Sequence, residues 1–206
     1  MVSLQGIKNI IFDFGGVILN LDFKAGETAF ARLGVTDFAE LYSQINQVHI
    51  FDDLEKGIIS PTEFNRRIHV LINKDISDED LNIAWNSMLG EMPPQRIRTL
   101  LRLKNIYRTF LLSNSNAIHY AVFVKELQEK YGFASFDELF ERVYFSFRER
   151  MKKPDPEIYN YVLHTSNLIP EETLFIEDTE KNLVPARQLG IHTYLLQPGE
   201  DISTLF

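Results

Sequence analysis

Five short apolar runs alternate with helical stretches along this chain, and no other feature restricts its fold as tightly. Residues 7–14 (IKNIIFDF) are β-branched and aromatic, and Gly15-Gly16 stops them, so they predict a buried strand. Residues 109–113 (TFLLS), 142–146, 173–176 and 192–196 predict four more. Helical periodicity fills residues 117–130, a stretch from Asp155-Pro156 to about Thr165, and residues 182–189, which Gly190 stops. Strands separated by helices predict a three-layer α/β fold: a Rossmann-like, parallel, doubly wound sheet of five strands.

One stretch breaks the alternation. From residue 19 to residue 90 the periodicity is helical throughout. Ser60-Pro61-Thr62-Glu63 has capping-box spacing with proline at the first helical position. Ser77-Asp78-Glu79-Asp80 is a second start signal, Gly34 and Gly57 read as helix ends, and Pro93-Pro94 closes the block. A chain of 206 residues suits one core domain with a modest insert. The expected division is an α/β core of residues 1–18 and 91–206 around a helical domain of residues 19–90.

Doubly wound sheets take their ligands outside the carboxyl ends of the strands. The residues at those ends are Asp13 to Gly16, Ser113-Asn114, Lys152-Lys153-Pro154 and Glu177-Asp178. Asp13 with two small neighbours lets an anion approach backbone N–H groups, although an aspartate there is also plain turn chemistry. Ser113 with the Asn114 N–H suits a phosphate oxygen or an ordinary turn. Lys153, stiffened by Pro154, suits a phosphate beside a carboxylate. Lys152 competes for that role, and a solvated charge run over residues 148–153 is the plainer reading. Glu177-Asp178 suits Mg²⁺ or an acidic helix start, and Asn182 either orients the pair or caps the helix.

Composition narrows the partners. The net charge of −8 argues against a nucleic-acid duplex or an anionic membrane surface. The basic run Arg96, Arg98, Arg102, Lys104 and Arg108 lies among Leu100, Leu101 and Leu103 and reads as the solvated face of a helix. The chain has no cysteine, which removes disulfides, thiol nucleophiles and cysteine zinc sites and fits a cytoplasmic protein. No apolar run reaches the roughly 18 residues of a spanning helix, and residues 1–10 do not read as a signal peptide. The five histidines lack metal-ligand spacing, and Trp85, Met88 and Leu89 read as packing.

In order and spacing, these segments resemble the haloacid dehalogenase-like (HAD) hydrolases over essentially the whole chain. IIFDFGGVIL resembles the first motif, FLLSNSN the second, MKKPDPEIY the third and LFIEDTEKNLVPARQLG the fourth. The helical block resembles the family's small α-helical cap. The DxGxV form of the first motif, with EKGIISPTEF in the cap, is similar to a branch that includes sugar-phosphate phosphatases such as α-D-glucose-1-phosphate phosphatase.

The resemblance implies Mg²⁺-dependent hydrolysis of a small phosphomonoester, sugar phosphates included. Asp13 would be the nucleophile that forms an aspartyl-phosphate. Asp13, Asp178 and the Gly15 carbonyl would hold Mg²⁺, with Glu177 assisting through its water shell. Ser113, the Asn114 N–H and Lys153 would clamp the phosphoryl oxygens, with Gly16 beside them. His49 and Asp53, with Asp52 and Lys56, would either select substrate from a cap that opens and closes or, the plainer reading, serve the cap's own structure. The implied partner is a small-molecule phosphoester, with no nucleic acid and no membrane, on a monomer or homodimer.

One departure matters. Gly15 stands where most phosphatases of the family carry a second aspartate that protonates the leaving group, a function worth roughly 10²–10⁴-fold. An acidic leaving group, Asp22 or a cap carboxylate would have to compensate. Two alternatives therefore stand beside a phosphatase. A 2-haloacid dehalogenase also lacks that aspartate, but carries small polar residues in place of Glu177-Asp178. A non-catalytic or switch-like protein would keep a long-lived aspartyl-phosphate.

Overall fold

The computed structural model of the chain describes residues 4–35 and 37–206. The first strand made, β1 (Asn9–Phe12), is the middle of the sheet. β2 (Arg108–Ser113) and β3 (Arg142–Phe145) lie to one side of it, β4 (Thr173–Glu177) and β5 (His192–Leu195) to the other. The order is β3-β2-β1-β4-β5 and every pairing is parallel. Phe12 stands opposite Leu111 on one neighbour and Ile176 on the other, and the Asp13 N–H donates to the Ile176 carbonyl. That register brings the ends of the three inner strands to one edge.

The inner strands β1, β2 and β4 are buried on both faces, as the middle of a parallel sheet requires. Ile10, Phe12, Leu111, Leu174 and Ile176 face one apolar layer with Phe14, Phe123 and Phe136. The intervening Ile11, Phe110 and Phe175 face the other, with Ile158, Tyr159 and Leu183. This period of two is what the side-chain alternation of a strand dictates.

Among the described residues, six helices lie between β1 and β2. They are α1 (Phe23–Arg32), α2 (Phe38–Gln47), α3 (Ile50–Glu55), α4 (Pro61–Ile72), α5 (Asp78–Asn86) and α6 (Pro94–Lys104). Later in the chain come α7 (Ala117–Tyr131), the short α8 (Ser146–Glu149), α9 (Pro156–Thr165) and α10 (Glu180–Gln188). The sequence predicts that Ser146 ends the third strand, but it starts α8. The Ser60 hydroxyl accepts from the Glu63 N–H, and Pro61 occupies the first turn of α4. Only that half of the capping box forms, because the Glu63 carboxylate binds Arg66 and Arg67 instead.

The helices of residues 23–86 have an apolar cluster of their own, which includes Phe30, Phe51, Phe64, Ile68, Leu81 and Trp85. The two strands of chain that lead in and out of them run side by side. Leu21 and Leu89 form an antiparallel bridge, Asn20 N–H donates to the Glu91 carbonyl, and Asp22 N–H to that of Met88. Gly90 N–H donates to the Asn20 carbonyl, and a Cβ on Gly90 would stand 2.9 Å from that same oxygen. Glycine is therefore needed for this close approach. Further contacts tie α3 to the other side of the cleft. Lys152 pairs with Asp52 and Glu55, and Lys56 with Asp155.

Of the basic run, Arg98, Arg102 and Lys104 on α6 are exposed, as a solvated face requires, and Arg96 is the residue that departs from that reading. Arg96 is buried, bonding Asp201 at 2.8 Å and the Ile18 carbonyl at 3.2 Å. Arg102 donates to the Phe206 carbonyl, and Lys104 to those of Asp137 and Glu138. These cations fasten the chain's own C-terminal segment and a loop.

Candidate active site

A cavity of about 920 Å³ opens at the carboxyl edge of the sheet, under α2, α3 and α5. Asp13, Gly15, Ser113, Asn114, Lys153, Glu177 and Asp178 all line it. The strand register explains the convergence, since β1, β2 and β4 are neighbours, Ser113 and Glu177 end two of them, and Asp13 directly follows the third.

Lys153 is the centre of the charge arrangement. Its Nζ lies 2.5 Å from Asp13 Oδ1 and 2.6 Å from Glu177 Oε2. Lys153 and Glu177 are each 1% exposed, so both charges depend on their partners. Burial lowers the affinity of Lys153 for its proton, but the two carboxylates outweigh it and hold the ammonium above its ordinary range. The Lys153-Pro154 loop is pinned by a reciprocal amide pair. Asn114 Nδ2 donates to the Lys153 carbonyl at 2.8 Å, and the Lys153 N–H donates to Asn114 Oδ1 at 2.9 Å. The neighbouring Lys152 points elsewhere, to Asp52 and Glu55, so the two lysines have separate tasks.

Three carboxylates face that single ammonium. Oxygens of Asp13, Glu177 and Asp178 lie within 4.8 Å of one another. Burial and the charge of Glu177 push Asp13 up to about 7, against the pull of Lys153. Burial and Glu177 also raise Asp178. An excess of negative charge in a dry site, presented by hard oxygen ligands, fits a divalent cation such as Mg²⁺. The chain makes room for the Asp178 carboxylate. Gly16 has φ +76°, and a Cβ there would overlap Asp178 Oδ2.

Gly16 lies beneath Asp178 and is not among the cavity-lining residues. Phe14, between Asp13 and Gly15, anchors the turn in the core, with Phe123 at 4.7 Å and Phe136 at 5.3 Å between ring centroids. At Gly15 a Cβ would stand 3.0 Å from Leu21 Cδ1, so the inserted segment fills the space beside that backbone with an apolar side chain. Asp22 caps α1 through the Ala25 N–H and does not line the cavity.

Two residues expected to select substrate stand away from the cavity. His49 precedes α3 in a left-handed conformation with an exposed ring, and Asp53 binds Arg67. Asp52 and Lys56, expected beside them, do line the cavity, together with Glu55 at the end of α3. His119 also lines the cavity, as does Trp85, which reads from the sequence as packing. Neither carries a spacing signal, because α5 and α7 meet only in the folded chain.

Comparison with known proteins places this arrangement. The haloacid dehalogenase-like hydrolase family matches residues 7–190. A D-ribitol-5-phosphate phosphatase of Bacteroides thetaiotaomicron is 32% identical over 199 residues, covering 95% of this chain and 94% of that protein. A HAD family enzyme of the same organism, solved in complex with magnesium and inorganic phosphate, superposes with a TM-score of 0.85. It is 38% identical over 97% of this chain and 99% of its own. The L-2-haloacid dehalogenase of Xanthobacter autotrophicus shares the fold, with a TM-score of 0.62 at 17% identity over 92% of this chain and 77% of its own.

Proposed function

The chain belongs to the haloacid dehalogenase-like hydrolases, and from that membership we propose that it cleaves a small sugar or polyol phosphate with Asp13 as nucleophile. It is a Mg²⁺-dependent phosphatase. The observation that carries the residue assignment is the cluster of Asp13, Glu177 and Asp178 around Lys153, level with Ser113 at the sheet edge.

In this reading an Asp13 carboxylate oxygen attacks phosphorus and the bond to the substrate oxygen breaks on the opposite side. The product is an aspartyl-phosphate and a released alcohol, whose oxygen takes up a proton. Water then attacks phosphorus and frees Asp13 and inorganic phosphate. Lys153, the Ser113 hydroxyl and the Asn114 N–H meet the phosphoryl oxygens, where charge accumulates. Asp13, Asp178 and the Gly15 carbonyl, with Glu177 beside them, would hold Mg²⁺, which would offset repulsion between carboxylate and phosphate. The α1–α5 block of residues 19–90 acts as a cap on a hinge at Asn20 and Gly90, excluding water from the first step. Monomer and homodimer are both compatible with this reading.

A dehalogenase is disfavoured by the paired Glu177 and Asp178, and the likeness to one concerns the fold alone. The test is phosphate release from p-nitrophenyl phosphate and from sugar and polyol phosphates, with Mg²⁺ or EDTA, beside Asp13→Asn. Turnover that requires both Mg²⁺ and Asp13, with phosphate trapped on Asp13, supports the reading. Silence on every phosphoester with Mg²⁺ bound would sink it.

A further inference from the structure

His119 sits in the first turn of α7, its backbone N–H bonded to the capping Asn116 just after the Ser113-Asn114 loop. Its ring lies flat against Trp85, centroids 5.3 Å apart and planes 15° apart, and Trp85 in turn stacks on Phe51 at 4.8 Å and 13°. The Nδ1 atom is 2.8 Å from Asn86 Oδ1. With that oxygen as acceptor, Nδ1 carries the hydrogen and Nε2 carries a lone pair. Among the described residues, nothing hydrogen-bonds Nε2, and the residue lines the cavity that holds Asp13. Burial pushes the imidazole down to about 4, so it is neutral at physiological pH and its free nitrogen is an acceptor.

The surroundings sharpen the chemistry. Phe38, Phe51, Trp85 and Met88 make that wall of the cavity apolar. Several charges that line the cavity are already paired: Asp52 and Glu55 with Lys152, Lys56 with Asp155, and Lys153 with Asp13 and Glu177. A fixed neutral acceptor in an apolar wall favours a ligand that brings a donor and penalises one that leaves it unpaired.

We infer that His119 Nε2 accepts a hydrogen bond from a hydroxyl on the substrate's carbon chain, which makes His119 a specificity-determining residue for hydroxylated phosphoesters over apolar ones. The inference rests on the phosphatase reading for its substrate class. Asn86 is then a positioning residue, fixing which ring nitrogen faces the cavity.

The test compares kcat/KM for D-ribitol 5-phosphate and for pentyl phosphate, a chain of equal length without hydroxyls. In His119→Leu the preference for the hydroxylated substrate should fall about tenfold, chiefly through KM, as loss of uniform binding does. His119→Gln, which retains a neutral acceptor and guards against misfolding of the leucine variant, should keep most of the preference. Equal loss on both substrates, or an unchanged preference, would overturn the inference. Calorimetric binding of D-ribitol 5-phosphate to Asp13→Asn, with and without His119→Leu, separates the two claims. Weaker binding in the double variant supports the role of His119 even if no phosphoester is turned over. Binding that ignores His119 overturns it, whatever the phosphatase assay gives.

Discussion

Gly16 and Asp178 occupy each other's space: a single methyl group on Gly16 would overlap the Asp178 carboxylate. Gly16→Ala should therefore push Asp178 off the cluster, and the left-handed backbone at φ +76° adds strain of about 1–2 kcal/mol. Mg²⁺ affinity should drop at least about tenfold, as when a group that orients a metal ligand is lost. Titration calorimetry checks this, and unchanged Mg²⁺ affinity would show that Asp178 is positioned by something else.

Lys153 separates two buried carboxylates, so Lys153→Met leaves Asp13 and Glu177 facing each other without a cation. Breaking a buried pair in this way costs about 3–5 kcal/mol. Denaturant unfolding in EDTA should show a loss of that size, and added Mg²⁺ should recover part of it. Turnover should fall by roughly 10²–10³, the effect of removing a group that stabilises transition-state charge. A variant as stable as the parent in EDTA would contradict this account.

Leu21 fills the space beside Gly15, so Gly15→Asp alone should be crowded. Gly15→Asp combined with Leu21→Ala makes room for a carboxyl group. Turnover of alkyl phosphates, whose leaving groups need a proton, should rise relative to p-nitrophenyl phosphate by about 10-fold or more, within the range of general acid catalysis. An alkyl-to-aryl ratio that stays constant would mean a proton already reaches the leaving group by another route.

His119 gives a pH dependence of stability. Its folded pKa of about 4 lies below the ordinary 6.5 because burial disfavours the imidazolium. Between those values the unfolded chain binds more protons, so stability rises with pH there. The contribution is complete above about pH 6.5 and is lost as pH falls towards 4. For a half-buried ring this amounts to about 1–2 kcal/mol between pH 7.5 and pH 5. Urea melts of His119→Gln should lack this part of the slope, and identical slopes would assign the acid sensitivity to other groups.

The sheet and the residues at its edge were legible because strand ends carry their chemistry in a fixed place. Asp13, Ser113 and Glu177 follow from where apolar runs stop, and parallel pairing brings such stops together. Helix rotation is a different matter. Asp52 and Asp53 are adjacent in sequence, yet one lines the cavity and the other binds Arg67. Nothing local distinguishes them, since the rotation of α3 is set by its packing on α2 and α4. Arg96 reads as solvated until its partner, more than a hundred residues later, is known to be Asp201. Leu21 and His119 are similar cases, because what they meet is decided by how the inserted helices close over the edge.

The position of β1 bears on how the chain is born. Its neighbours are β2 and β4, so during synthesis the central strand has no partner until residue 108 has emerged, and its second side waits for residue 173. The helices of residues 23–86 emerge in that interval, and nearly all of their apolar cluster lies within those residues, at shorter sequence separation than the β1–β2 and β1–β4 pairings. Local contacts form faster than distant ones. On the ribosome, then, the peripheral helices have the means to order first, while the segment that carries Asp13 waits as an unpaired, aggregation-prone strand.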